Sequence, residues 1–308
     1  LSVRPDSPRA RARASARRDG RSSGAADILL AAVLWGTAGP VFTLAPSSAS
    51  PVSAASARIV LGGALLFSLV AFGARRADLL ALLRQGRRAW VPLAVGAACG
   101  AVYQVTYLAS VALTGVAVAT VVSLGSAPAF AGLLSWGGLT RRWTVTTAGA
   151  VVGCALLMSG GEASGVDPGG VALALFCGFT YAAYTMLASR LIERGGDDQV
   201  VMGSIFGGAA ALLLPVLLAS SPGWLLDVRG AAVACYLGAV GTTLSYVLFA
   251  RGLRTTPGAT ATTLSLAEPA VAALIGLVLL GEHLGGVALA GLGLLAASLV
   301  TLVWPARR

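Results

Sequence analysis

Arginine in this chain falls almost entirely in every second gap between long apolar segments, a regularity that restricts the fold to a bundle of membrane-spanning helices. Ten apolar stretches run near 28–45, 52–73, 90–112, 115–138, 143–160, 169–189, 199–219, 230–250, 257–280 and 284–304. Each is long enough to cross a hydrocarbon core of about 30 Å as a helix. All 22 basic residues are Arg: seven precede the first stretch and five (Arg75, Arg76, Arg84, Arg87, Arg88) lie between the second and third. Pairs follow at Arg141/Arg142, Arg190/Arg194, Arg251/Arg254 and Arg307/Arg308, whereas the opposite gaps hold only Arg229. Because cytoplasmic loops carry the positive excess, both termini are predicted to be cytoplasmic and the number of crossings even. The expected fold is an all-α integral membrane protein with ten transmembrane helices in the cell inner (cytoplasmic) membrane.

Composition agrees. With 56% hydrophobic and 11% charged residues and a mean hydropathy of +0.83, the chain has too little polar surface for a soluble domain of its length. The net charge of +10 is carried by loop Arg facing anionic headgroups and does not indicate a nucleic-acid partner. Cys99, Cys154, Cys177 and Cys235 fall inside apolar stretches without a CxxC spacing, so neither disulfides nor a metal site is expected. No cofactor is implied. Residues 1–26, rich in Arg, Ser and Ala, lack the apolar run of a secretory signal peptide and read as a disordered cytoplasmic tail.

An internal repeat organises the remainder. A shift of 142 residues places Val95-Gly96-Ala97 on Leu237-Gly238-Ala239, Thr114 on Thr256, Thr120 on Thr262, Ser123-Leu124 on Ser265-Leu266 and Gly149 on Gly291. Trp35-Gly36 falls on Cys177-Gly178, and Pro128 matches Pro269 with a slip of one residue. Five helices per half is an odd number, so the second copy enters the membrane from the opposite side, giving two inverted repeats. The predicted halves are 27–160 and 168–305, joined by an outward loop at 161–167, with 306–308 as a cytoplasmic end.

Function is expected where polarity survives in hydrocarbon, since a charge at a helix centre costs roughly 2.5–3.5 kcal/mol even on the most lenient scale. Glu268 is the clearest such residue, about 16 Å along its helix from Pro257 at 1.5 Å per residue. Thr262, Ser265 and Glu268 share one helix face, and the repeat sets Thr120, Ser123 and Ser126 in the same register. Only one of these two stripes carries a carboxylate, which suits proton coupling or binding of a substrate amine. The competing reading makes Glu268 a structural charge paired with Arg58. Pro269 and Pro128 are expected to break the backbone at that depth. Trp35, Tyr103, Tyr107, Tyr181, Tyr184, Ser245 and Tyr246 are candidates for lining a substrate cavity, where a ring and a hydroxyl act together; interhelical hydrogen bonds are their alternative use.

The chain resembles the drug/metabolite transporter superfamily, in its ten-helix form with two EamA-type repeats. The resemblance rests on Leu34-Trp35-Gly36, Ala57-Arg58, the Tyr103 to Leu113 run, Ser123 to Pro128, Glu268-Pro269, Gly281-Glu282 and Gly291, in order and in both halves. Leu139-Thr140 stands where the family usually has Gly-Glu, and Cys177 replaces the usual Trp. The resemblance implies a secondary transporter exporting a small metabolite, whether an amino acid, a derivative or a drug-like cation, by alternating access. A uniporter or channel of the same fold is the near alternative. An intramembrane enzyme would need a nucleophile or metal constellation, and the chain has no G-x-S-x-G and no His pair. The absence of a G-x-x-x-x-G-K-[ST] motif leaves an ion gradient as driving force. Expected partners are a small-molecule substrate, the lipid bilayer and protons. Gly-x-x-x-Gly pairs read as packing within a monomer or, at most, a weak homodimer.

Overall fold

The computed structural model describes residues 24–135, 139–159, 167–279 and 285–304. The 161–166 part of the expected outward loop, Gly281-Glu282 and most of the expected tail lie outside the described residues.

Every regular element described is helical. The helices are α1 (Gly24–Phe42), α2 (Pro51–Ala71), α3 (87–114), α4 (116–134), α5 (Arg141–Met158), α6 (Pro168–Glu193), α7 (Asp198–Ala219), α8 (Val228–Leu253), α9 (Gly258–Val278) and α10 (Gly286–Val303). Among the described residues eight helical runs are long and apolar enough to cross a membrane, and one of them, Arg87–Leu134, is 48 residues long and comprises α3 and α4. Those two are divided by Gly115, whose φ of 78° and ψ of 165° lie outside the helical region. Only glycine adopts that conformation without strain. α5, 18 residues long, begins with Arg141 and Arg142 and is not among the eight.

Local chemistry sets the starts. Ser50 and Thr140 accept hydrogen bonds from Ser53 N–H and Trp143 N–H, while Asp167, Asp197 and Asp227 cap α6, α7 and α8. Pro51 and Pro168 occupy first helical positions, where the missing N–H has no partner to lose. Each cap is worth about 1 kcal/mol. α1 starts at Gly24, so the last three residues expected in the tail are helical, with Ala25 buried; Asp27, which follows them, pairs with Arg251 at 3.7 Å. A short helix, Arg76–Leu83, and a 3-10 turn, Pro222–Leu226, form in gaps that sequence pattern leaves as loops.

The helices pack through small residues. α2 lies along α7 and α8, α3 and α4 along α6 and α7, and α5 along α10. At Gly153 and Gly291 a Cβ would collide with backbone of the facing helix, Leu295 N at 2.6 Å from the first and Gly153 O at 2.7 Å from the second, so α5 and α10 approach backbone to backbone. The repeat is visible in the contacts. Gly36 of α1 packs on Glu268 O of α9 (2.8 Å from a Cβ placed there), and its counterpart Gly178 of α6 packs on Ser126 and Ser123 of α4.

Polar contacts gather the Arg-bearing gaps at one end of the bundle. Asp27 meets Arg251, Arg75 meets Asp197 at 3.5 Å, Arg142 donates to Thr301 O and Trp304 O, and Arg190 donates to Leu134 O. At the other end Ser110 Oγ donates to Gly170 O and Trp224 Nε1 to Ser53 Oγ, both at 2.8 Å.

Candidate functional site

α9 is the element that creates the site. It runs as Gly258–Leu264 and Ala267–Leu279 with a break at Ser265 and Leu266. Pro269 has no N–H to offer Ser265 O, and Glu268 N–H takes that carbonyl instead at 3.0 Å. The tightened turn presents the Glu268 side chain to a cavity. Pro128 behaves differently from expectation: the helix runs through it with helical dihedrals, and only Gly115 departs from them within 87–134. A proline alone does not break an apolar helix whose remaining ladder and packing hold it.

The cavity has a volume of about 510 Å³ and lies in the half of the bundle away from the Arg-bearing gaps. Its walls are the last turns of α1 (Ala38, Phe42), the first turns of α2 (Pro51, Ala54), Leu108 and Val116 beside Gly115, and Leu157 and Met158 of α5. Trp35, Arg58, Tyr103, Tyr107, Thr120, Glu268 and Pro269 all line it. Residues from both halves therefore share one space. Tyr107 OH and Thr120 Oγ1 are joined at 2.8 Å across the α3–α4 turn, and the Tyr103 and Tyr107 rings stack with centroids 6.4 Å apart.

Charge in this space is confined to Arg58 and Glu268. Arg58 is about two turns inside α2, and its guanidinium donates to Gln104 Oε1 at 3.3 Å. Gln104, buried and one residue beyond Tyr103, also lines the cavity and is absent from the sequence-derived candidates. The available signal was an uncharged but strongly polar amide inside an apolar stretch on the same face as Tyr107. Such a group needs a partner in hydrocarbon, and Arg58 provides one.

The remaining candidates stand outside the cavity in this conformation and close the bundle beneath it. Tyr181 OH donates to Ser265 Oγ at 2.6 Å, and the hydroxyls of Tyr184 and Tyr246 meet at 3.2 Å. Trp35 forms the border, its ring 5.2 Å from Tyr246 and 5.3 Å from Phe249 by centroid. Ser123, Ser126, Ser245, Thr262 and Ser265 donate to carbonyls of their own helices three or four residues earlier. Their hydroxyls are consumed locally, as is usual for Ser and Thr in apolar helices. Lower still, Thr147 and Thr263 are linked at 3.0 Å and Trp143 Nε1 donates to Ala259 O at 3.3 Å. Among the described residues no group of three or more His, Cys, Asp and Glu is placed to hold a metal ion.

A two-signed cavity lined by residues of both repeated halves suits passage of a small polar solute. Comparison with known proteins decides the family. The EamA-like transporter family matches residues 22–159 and again 168–304. The chain belongs to the EamA-like transporter family. It is 38% identical to the uncharacterized transporter YwfM of Bacillus subtilis over 88% of this chain and 92% of that protein. The uncharacterized inner membrane transporter YicL of Salmonella typhimurium is 31% identical, over 84% and 87%. The threonine/homoserine exporter RhtA of Escherichia coli K12 is 36% identical over 46% of this chain and 48% of its own length. A crystal structure 20% identical in sequence superposes with a TM-score of 0.74, covering 91% of this chain and 96% of its own, and shares the fold. This EamA-like chain is thus a multi-pass membrane transporter.

Proposed function

We propose that this EamA-like transporter exports a small zwitterion of the amino-acid class across the cytoplasmic membrane by alternating access, with proton coupling through Glu268. The observation that carries the reading is the pairing of one guanidinium and one carboxylate, Arg58 and Glu268, in a single cavity of about 510 Å³ with aromatic walls. An amino acid presents a carboxylate and an ammonium within a few ångströms of each other. Arg58 suits the former in a bidentate arrangement and Glu268 the latter. Glu268 can hold a proton when the cavity is empty of substrate and yield it when an ammonium arrives. The partial likeness to a threonine/homoserine exporter supports the same class.

In this reading the chain crosses the membrane ten times as two inverted halves, 27–160 and 168–305, with both ends cytoplasmic. Support comes from the Arg count, from the contacts that draw the Arg-bearing gaps together, and from the family match falling once on each half. The Arg-bearing end is then the cytoplasmic one. The cavity faces outward, and the Tyr181–Ser265 and Tyr184–Tyr246 contacts belong to the closed inner gate.

Purified protein in liposomes tests this with homoserine and with its decarboxylated amine analogue. Under a pH gradient the wild type should drive homoserine uphill. Arg58→Gln should raise the KM for homoserine far more than for the amine, because only the former loses a carboxylate partner. Equal effects on both compounds would remove the zwitterion reading. Transport that only equilibrates homoserine, gradient or not, would make the protein a facilitator.

A further inference from the structure

A second cavity, of about 470 Å³, lies at the Arg-bearing end, away from the central site. It sits between the short helix Arg76–Leu83, the turn joining α6 to α7, and Arg254 after α8. Four carboxylates line it, those of Asp78, Glu193, Asp197 and Asp198. Two are already engaged. Asp197 accepts from Gln199 N–H and Val200 N–H and meets Arg75, and Glu193 accepts from Ser189 Oγ at 3.0 Å.

Asp198 is different. It is the first residue of α7 and only 3% exposed, yet its Oδ2 has no hydrogen-bond partner. A helix N-terminus favours negative charge there but supplies no donor to that oxygen. A buried carboxylate with an empty acceptor is strongly unfavourable unless a donor, preferably cationic, meets it. Leu82 and Ile192 supply an apolar part of the lining, which Gln85 and Arg254 share, and no group of three or more metal-ligating side chains converges there among the described residues. A buried acid, an apolar patch and two exposed acids, Asp78 and Glu193, in one cavity together specify an occupant.

We propose that this pocket binds a small aliphatic amine cation, whose ammonium meets the Asp198 carboxylate while its carbon chain lies on Leu82 and Ile192. A diamine reaches Asp78 or Glu193 with its second ammonium. The occupant ties the helix that follows α2 to the turn that precedes α7, one element from each repeat. It thereby favours the conformation in which this end is closed, as any ligand favours the state that holds it. The proposal concerns a site separate from the central cavity and stands without the zwitterion reading.

The test is ligand-induced thermal stabilisation, followed by titration calorimetry, of the full chain in detergent, with diaminobutane as probe. Butanediol is the neutral control and sodium chloride the ionic-strength control. Diaminobutane should stabilise saturably and the controls should not. Asp198→Asn should weaken binding about tenfold or more, the scale of a charge-assisted hydrogen bond. Should that variant fail to fold, Asp78→Asn combined with Glu193→Gln, both exposed, should weaken it about two- to fivefold. Glu268→Gln should leave binding unchanged. Homoserine as a second ligand separates the sources: binding that depends on Asp198 assigns the site to the amine of a transported zwitterion, and binding of diaminobutane alone assigns it to a different cytoplasmic amine. Equal stabilisation by the controls overturns the site. So does unchanged affinity in the acidic variants, or loss of binding in Glu268→Gln.

Discussion

Replacing Tyr181 by Phe should release the proposed inner gate by a measurable factor. The Tyr181 hydroxyl donates to Ser265 Oγ at 2.6 Å, and Ser265 in turn donates to Ala261 O at 3.1 Å. The two residues are 3% and 1% exposed, so no water replaces the lost partner. Phe retains the ring contacts with Tyr103 and Tyr184, at 5.7 and 5.3 Å, and removes only the hydrogen bond. A buried neutral hydrogen bond is worth about 0.5–1.5 kcal/mol. If the contact exists only when the gate is closed, a loss of about 1 kcal/mol raises the inward-open to outward-open ratio roughly fivefold. Thr262, only 1% exposed below the cavity, reports on that state. A single cysteine at Thr262 in a Cys-free background should react with a thiol reagent from the Arg-bearing side about fivefold faster when Tyr181→Phe is added. Tyr107→Phe, which loses a contact within the cavity, should leave the rate unchanged. An unaltered rate in Tyr181→Phe, or the same increase in Tyr107→Phe, would refute the gate.

Other outcomes follow from the same geometry. Glu268→Gln should abolish gradient-driven transport and its pH dependence while homoserine counterflow survives; uphill transport at the normal rate would return Glu268 to a structural role. Gln104→Leu removes the acceptor of Arg58, a charge-assisted bond worth about 1.5–3 kcal/mol, and should raise the homoserine KM about tenfold or more at unchanged membrane abundance. Gly291→Val forces a branched side chain into the Gly153 and Leu157 backbone, and should cost about 1–3 kcal/mol, read as a lower melting temperature in detergent. Cysteine replacing Leu226 should label from outside intact cells and cysteine replacing Gln85 only after permeabilisation; equal labelling of both would sink the ten-crossing topology.

The sequence by itself determined the class of solvent, the periodic Arg gaps, the repeat and the position of Glu268 along its helix. These depend on counts and spacings along one dimension: how many apolar residues fit a bilayer, which gaps hold charge, and how far a carboxylate lies from a helix end. Which polar groups share a space was decided by tertiary packing. Thr262, Ser265 and Glu268 share a helical face in sequence, yet the break at Ser265 and Leu266 directs Glu268 to the cavity while the two hydroxyls are spent on their own backbone. Tyr107 and Tyr181 look equivalent as aromatic hydroxyls in apolar helices. One lines the cavity and the other is locked to Ser265, because backbone-close packing at Gly36 and Gly178 sets which faces meet. Gln104 gained its place through Arg58, a neighbour 46 residues away. Asp198 reads locally as an acid at a helix start, and only the assembled bundle shows that it is buried with an acceptor unfilled. Helix periodicity tells which residues lie on one face of a helix, but the rotation and approach of neighbouring helices, governed by side-chain size at each crossing, decide what that face meets.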